Sequence, residues 1–145
     1  MPSNVVVIPV ASRREKKDFL QFPWTLYRDD PNWVPPLRGN EMELVGYRPH
    51  PFYEVNSVQT FVAYRGREIC GRIAAVVNEG HIERFNDRRG FFGFFECVDD
   101  QEVADRLFDA AREWFAQRDI FAMRGPANPS LNYTVGLLVE GFELS

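Results

Sequence analysis

The stretch Gly90-Phe91-Phe92-Gly93-Phe94-Phe95-Glu96-Cys97-Val98, followed by Asp99-Asp100 and the segment 101–118, decides how this chain reads. The aromatic run predicts a buried strand. The acidic pair predicts a tight turn. Beyond it, Val103, Leu107, Ala110 or Ala111, and Trp114 recur at helical spacing and predict an amphipathic helix. A strand that feeds a helix through a short turn leaves the first helical N–H groups without internal partners, so such turns often hold anions. This turn carries no glycine and three carboxylates, Asp99, Asp100 and Glu102. Carboxylates at a helix start use the same partial positive charge that an anion would, and Asp99 with Glu102 can cap the helix from within.

Working outward, residues 68–78 and 57–65 read as two strands joined at Gly66, a hairpin. In the second, Ile69, Gly71, Ile73, Ala75 and Val77 form one apolar face, and Cys70, Arg72, Ala74 and Val76 form the other. The span 78–89 reads as a polar loop. Residues 4–10 read as a first strand, apolar on both faces and therefore internal. Ser12-Arg13-Arg14-Glu15 is a capping box, followed by Phe19, Phe22, Leu26 and Tyr27 at helical spacing. Pro23 predicts a kink or two short helices there. From Asp30 to Asn56 repeated prolines disfavour regular structure, yet Trp33, Leu37, Leu44, Tyr47, Phe52 and Tyr53 predict an ordered loop with a short helix near 40–45. After the 101–118 helix, Ile120 to Met123 reads as a short strand, and residues 130–140 as a last helix closed by Gly141-Phe142. Three consecutive strands predict an antiparallel meander, and the strand–helix–strand after them a parallel crossover.

At 145 residues the chain fits one domain. A net charge of −4 without a basic run excludes general attraction to phosphate backbones, so no nucleic-acid partner is expected. No apolar run reaches the ~20 residues of a membrane span, and positive charge follows rather than precedes Val5-Val6-Val7-Ile8, unlike a signal peptide. Cys70 and Cys97 fit two reduced thiols in a cytoplasmic protein better than a disulfide scaffold. His50 and His81 lack metal-ligand spacing, so no metal site is assigned.

Cys70-Gly71-Arg72-Ile73-Ala74-Ala75, the closing Leu137-Leu138-Val139-Glu140-Gly141-Phe142 and the order of elements resemble the GNAT superfamily of N-acetyltransferases. Phe22-Pro23, Asp30-Pro31-Asn32-Trp33-Val34-Pro35-Pro36, the Gly90 run and Met123-Arg124-Gly125-Pro126-Ala127-Asn128 resemble more narrowly the N-terminal part of longer uncharacterised bacterial GNAT-like proteins. The resemblance implies an α/β fold, a mixed, mostly antiparallel sheet of about six strands with helices on both faces and the C-terminal strands missing. It implies transfer of an acetyl or acyl group from acetyl-CoA or another acyl-CoA to an unknown amine. By position, Cys97 and Val98 would meet the pantetheine, and Asp99, Asp100, Gln101, Glu102 and Val103 the diphosphate, where relatives carry a glycine-rich turn.

Glu96 stands where some relatives hold a general base; its other reading is a carboxylate paired with a neighbour such as Arg72. Tyr133 could protonate a leaving thiolate or pack in the core, and Asn128 and Asn132 could bind a ligand or cap the last helix. The acidic turn keeps an alternative open, a non-catalytic GNAT-like module serving assembly or forming one lobe of a two-lobed protein, and predicts weak CoA binding at most. Only Glu143-Leu144-Ser145 follow Gly-Phe, where the family has two more strands. The expectation is therefore a homodimer burying residues 141–145, or pairing with a second GNAT-like lobe, with the aromatic loop as the competing cover.

Overall fold

The computed structural model describes residues 4–144; Ser145, at the end of the expected dimer edge, lies outside them. The elements are β1 (Val5–Pro9), α1 (Arg13–Leu26), α2 (Arg38–Leu44), a 3-10 turn (Pro51–Glu54), β2 (Ser57–Arg65), β3 (Glu68–Val77), α3 (Glu79–Phe85), β4 (Gly90–Cys97), α4 (Gln101–Ala116), β5 (Met123–Arg124), β6 (Ala127–Asn128) and β7 (Thr134–Val135). β1 to β5 form one sheet in sequential order, antiparallel up to β4, with β5 parallel to β4 after the α4 crossover. β6 and β7 form a separate two-stranded ribbon. No helix among the described residues is long and apolar enough to cross a membrane.

The sheet is covered on both faces, as expected. α4 closes one face with Val103, Leu107, Ala111 and Phe115, a stripe at i, i+4 spacing that packs on Phe61, Ile73 and Ala75. Phe115 is the buried aromatic of the stripe, while Trp114 is half-buried. α1 and the end of α2 close the other face, where Phe19 and Val45 meet Val62, Ala74 and Phe94. Ser12 and Glu15 cap α1 reciprocally, Glu15 N to Ser12 Oγ at 3.1 Å and Ser12 N to Glu15 Oε1 at 2.8 Å.

α1 runs through Pro23 as one helix, so of the two expected alternatives the pair of short helices does not form. Proline has no N–H for the carbonyl four residues before it, here that of Phe19. Arg72 Nη1 donates to that carbonyl at 2.9 Å, so the missing helix bond is replaced from β3. Three further expectations are corrected. Among the described strands β1 pairs with β2 alone and so lies at the sheet edge, and Val6 is exposed. The 78–89 loop contains α3, capped by Asn78 through its bond from the His81 N–H at 3.0 Å. A bulge leaves Cys70 unpaired between Ala63↔Gly71 and Tyr64↔Ile69, so Cys70 packs toward α4 and Ile69 toward α1, the reverse of strict alternation.

The expected last helix is absent: no described residue after Ala116 is α-helical. Asn128 and Thr134 pair in the β6–β7 ribbon instead, Tyr133 N closes a turn onto Ser130 O at 3.0 Å, and Gly136 and Gly141 adopt positive φ that a right-handed helix does not accept. Leu137, Leu138 and Val139 are consequently exposed, at 64, 66 and 79%.

Candidate active site

Two glycines shape β4. A Cβ at Gly90 would overlap the Phe115 ring, and one at Gly93 would overlap the Ala127 carbonyl oxygen. The aromatic run is thus spaced so that α4 and β6 can approach the strand backbone. Next to Gly93 the strand bulges. Arg72 faces Glu96 and Ala74 faces Gly93, leaving two β4 residues opposite Ile73. Phe94 sits at φ 52°, and its N–H donates to Asn128 Oδ1 at 2.6 Å. Asn128, expected as a helix cap, anchors this bulge. Bulges re-aim side chains: Phe95 packs against Phe108 on the α4 side, while Glu96 emerges on the α1 side.

There Glu96 lines a cleft of ≈ 650 Å³, within the range of small-molecule sites. Tyr27, at the C-terminal end of α1, donates its hydroxyl to Glu96 Oε2. Burial pushes the Glu96 carboxyl above its usual range, further than the Tyr27 hydrogen bond and the Arg72 charge pull it down. Burial, and then Glu96 itself, pushes the Tyr27 hydroxyl up as well. Arg72 is not the direct partner of Glu96. Its Nη2 pairs with Glu41 Oε1 at 2.9 Å, with side chains only 4% and 7% exposed, and its guanidinium lies 4.7 Å from the Phe19 ring centre.

The walls are mostly apolar. One is the proline-rich loop, whose Trp33 stacks on Tyr27 with centroids 5.4 Å apart and meets Trp24 edge-on at 5.4 Å. Arg38 covers Trp24 at 4.0 Å and bonds Gln21 Oε1 at 3.0 Å, which ties the loop back to α1. The opposite wall comes from the chain after β7, with Leu137, Leu138, Phe142 and Leu144.

Of the candidate site residues read from the sequence, Glu96 and Asn128 line this cleft. Tyr133 packs on His50 and Phe52, with ring centroids 6.1 and 6.0 Å away, and Asn132 is exposed in the adjoining turn. Tyr27 carries a central bond of the site, although its helical spacing reads as core. Cys97 ends β4 and Val98 follows it. The Cys97 thiol donates to Val98 O at 3.0 Å, and burial pushes its pKa up. Among the described residues no cluster of three or more His, Cys, Asp or Glu is placed to hold a metal ion.

The Asp99–Val103 turn heads α4. Asp100 Oδ1 accepts the Glu102 N–H at 3.0 Å and Asp100 O the Val103 N–H at 3.1 Å. Asp100 Oδ2 pairs with Arg65 Nη2 at 2.6 Å. The Arg65 hydrogen bond, then the backbone bond, holds the Asp100 carboxyl below its usual range.

The solved structure of a tandem GNAT protein from the clavulanic acid biosynthesis pathway matches with a TM-score of 0.59 at 14% identity, over 80% of this chain and 34% of that one. An aminoglycoside acetyltransferase from an uncultured soil metagenomic sample, solved with sisomicin, matches with a TM-score of 0.57 at 11% identity, over 85% of this chain and 77% of that one. This chain has the GNAT acetyltransferase fold. No protein-family model matches it. Among curated proteins it is 36% identical to Protein YghO of Escherichia coli K12 over 132 residues, 91% of this chain and 34% of that protein. It is 37% identical to the bacterial ceramide synthase of Caulobacter vibrioides over 142 residues, 97% of this chain and 37% of that protein. The chain thus spans about a third of the length of the curated relatives it matches. The cofactor that a GNAT fold implies is acetyl-CoA or another acyl-CoA, and the turn that would meet its diphosphate does not fit that group: its N–H donors at Glu102 and Val103 are already bonded, and it presents three carboxylates.

Proposed function

We propose that this chain is one lobe of a longer GNAT-fold N-acyltransferase, and that the Glu96 cleft receives the amine acceptor, an amino alcohol with a long aliphatic chain. The observation that carries this reading is Glu96, hydrogen-bonded to Tyr27 in a cleft with mostly apolar walls. Ceramide is an N-acylated long-chain amino alcohol, and the identity to a bacterial ceramide synthase supports that acceptor class. An ammonium must lose a proton before its nitrogen can attack. Glu96 is placed to take that proton, and burial makes its carboxylate a stronger base than an exposed one. Tyr27 fixes the carboxylate's orientation, while Trp33 and the leucines after β7 offer an aliphatic chain an apolar path.

The test is titration of the protein with sphinganine below its micellar concentration, read by the fluorescence of Trp33, with Trp33→Phe as control. Saturable binding should weaken at least about tenfold in Glu96→Gln, since a charge-assisted hydrogen bond contributes about 1.5–3 kcal/mol. Absence of saturable binding, or equal affinity in Glu96→Gln, rejects the reading. A second reading, a non-catalytic GNAT-like lobe serving assembly, draws on the self-bonded turn at α4; it predicts that no amine binds.

A further inference from the structure

We infer that Asp100, held by Arg65, takes the place of a bound diphosphate at the head of α4, so that this lobe does not hold CoA by its phosphates and the grip on the acyl donor lies outside residues 4–144. This rests on the acyltransferase reading only for its second half; the occupied turn stands on the structure itself. A diphosphate at a helix start needs free backbone donors and close approach to the backbone. Here the Glu102 and Val103 donors bond Asp100, at 3.0 and 3.1 Å. Two donors leading into the turn are bonded as well. Asp100 N bonds Val98 O at 2.7 Å, and Val98 N bonds Cys70 O at 3.0 Å.

The Arg65 guanidinium, which would suit a phosphate, is already shared. Its Nη2 meets Asp100 Oδ2 at 2.6 Å and its Nε meets Asn4 Oδ1 at 3.2 Å. Asp99 and Glu102 lie exposed in the same turn. One guanidinium against three carboxylates leaves the turn repulsive to phosphate. The lobe therefore divides its parts: a cleft built for an acceptor beside Glu96, and a donor turn filled by its own side chain.

The test is calorimetric titration with free CoA and, separately, with inorganic pyrophosphate, alongside amide NMR of residues 98–104. The intact protein should show no saturable CoA binding up to about 1 mM and no amide shifts in that segment. Asp100→Gly frees Arg65 and the Glu102 N–H, so the variant should gain at least about tenfold in pyrophosphate affinity, with shifts confined to the turn. Micromolar CoA binding by the intact protein, with shifts at 98–104, overturns the inference and leaves the amine reading untouched. A folded Asp100→Gly variant that gains nothing also overturns it. Failure of sphinganine to bind would reject the amine reading and leave this one standing.

Discussion

Arg72 offers the sharpest test of how the α1 face is held together. Its guanidinium joins two groups that would otherwise be stranded: the Glu41 carboxylate at 2.9 Å and the Phe19 carbonyl, also at 2.9 Å, which Pro23 deprives of its helix donor. Arg72→Met should cost about 3–5 kcal/mol for leaving Glu41 buried and unpaired, and a further ~1–3 kcal/mol for the orphaned carbonyl. Only the second part depends on Pro23. In a Pro23→Ala background the new N–H at position 23 reaches the Phe19 carbonyl, so Arg72→Met should cost about 1–3 kcal/mol less there. Urea unfolding of the wild type, both single variants and the double variant gives this coupling directly. Against a typical total stability of about 5–15 kcal/mol, Arg72→Met can exhaust a folded baseline. Arg72→Lys, which retains a charge beside Glu41, gives the same cycle at smaller cost. Effects additive within about 0.5 kcal/mol would mean that Arg72 does not substitute for the missing helix bond.

Tyr27→Phe removes a hydrogen bond that lowers the Glu96 pKa, so the Glu96 midpoint, followed by carboxyl carbon NMR, should move further up while Tm changes little. Because that pKa is raised in the folded state, folding takes up a proton above the ordinary value of 4.5. Stability should therefore fall as pH rises from there through the raised value, and Glu96→Gln should abolish that slope in urea titrations run across the window. Gly93→Ala would force β4 and β6 apart, because its Cβ overlaps the Ala127 carbonyl; a loss of about 1–3 kcal/mol is expected, with amide shifts centred on Phe94 and Asn128.

The sheet was legible because its signals are local and agree with one another. The Gly66 hairpin, the aromatic β4 run and the i, i+4 stripe of α4 each name one element, and together they imply the crossover. The capping box at Ser12 was equally plain. What escaped depends on partners distant in sequence. Pro23 reads as a helix breaker until Arg72 is seen to replace its bond from 49 positions away. The Cys70 bulge exchanges the faces of two residues, and the only local mark of it is the neighbouring Gly71. The C-terminal segment has a helical apolar spacing, but its backbone pairs as a ribbon and its glycines turn left-handed. In the cleft, Glu96 stood out as a charge in an aromatic strand, whereas Tyr27 and Trp33 were hidden among residues that read as packing.

The central claim is that an amine enters the cleft over Glu96. Amide and side-chain NMR of the labelled protein, titrated with sphinganine, tests it most directly. The account predicts saturable shifts clustered at Tyr27, Trp33, Glu96, Asn128, Leu137 and Leu138, lost together in Glu96→Gln. Shifts scattered over the exposed face of α4, or an unchanged spectrum at saturating amine, would contradict it.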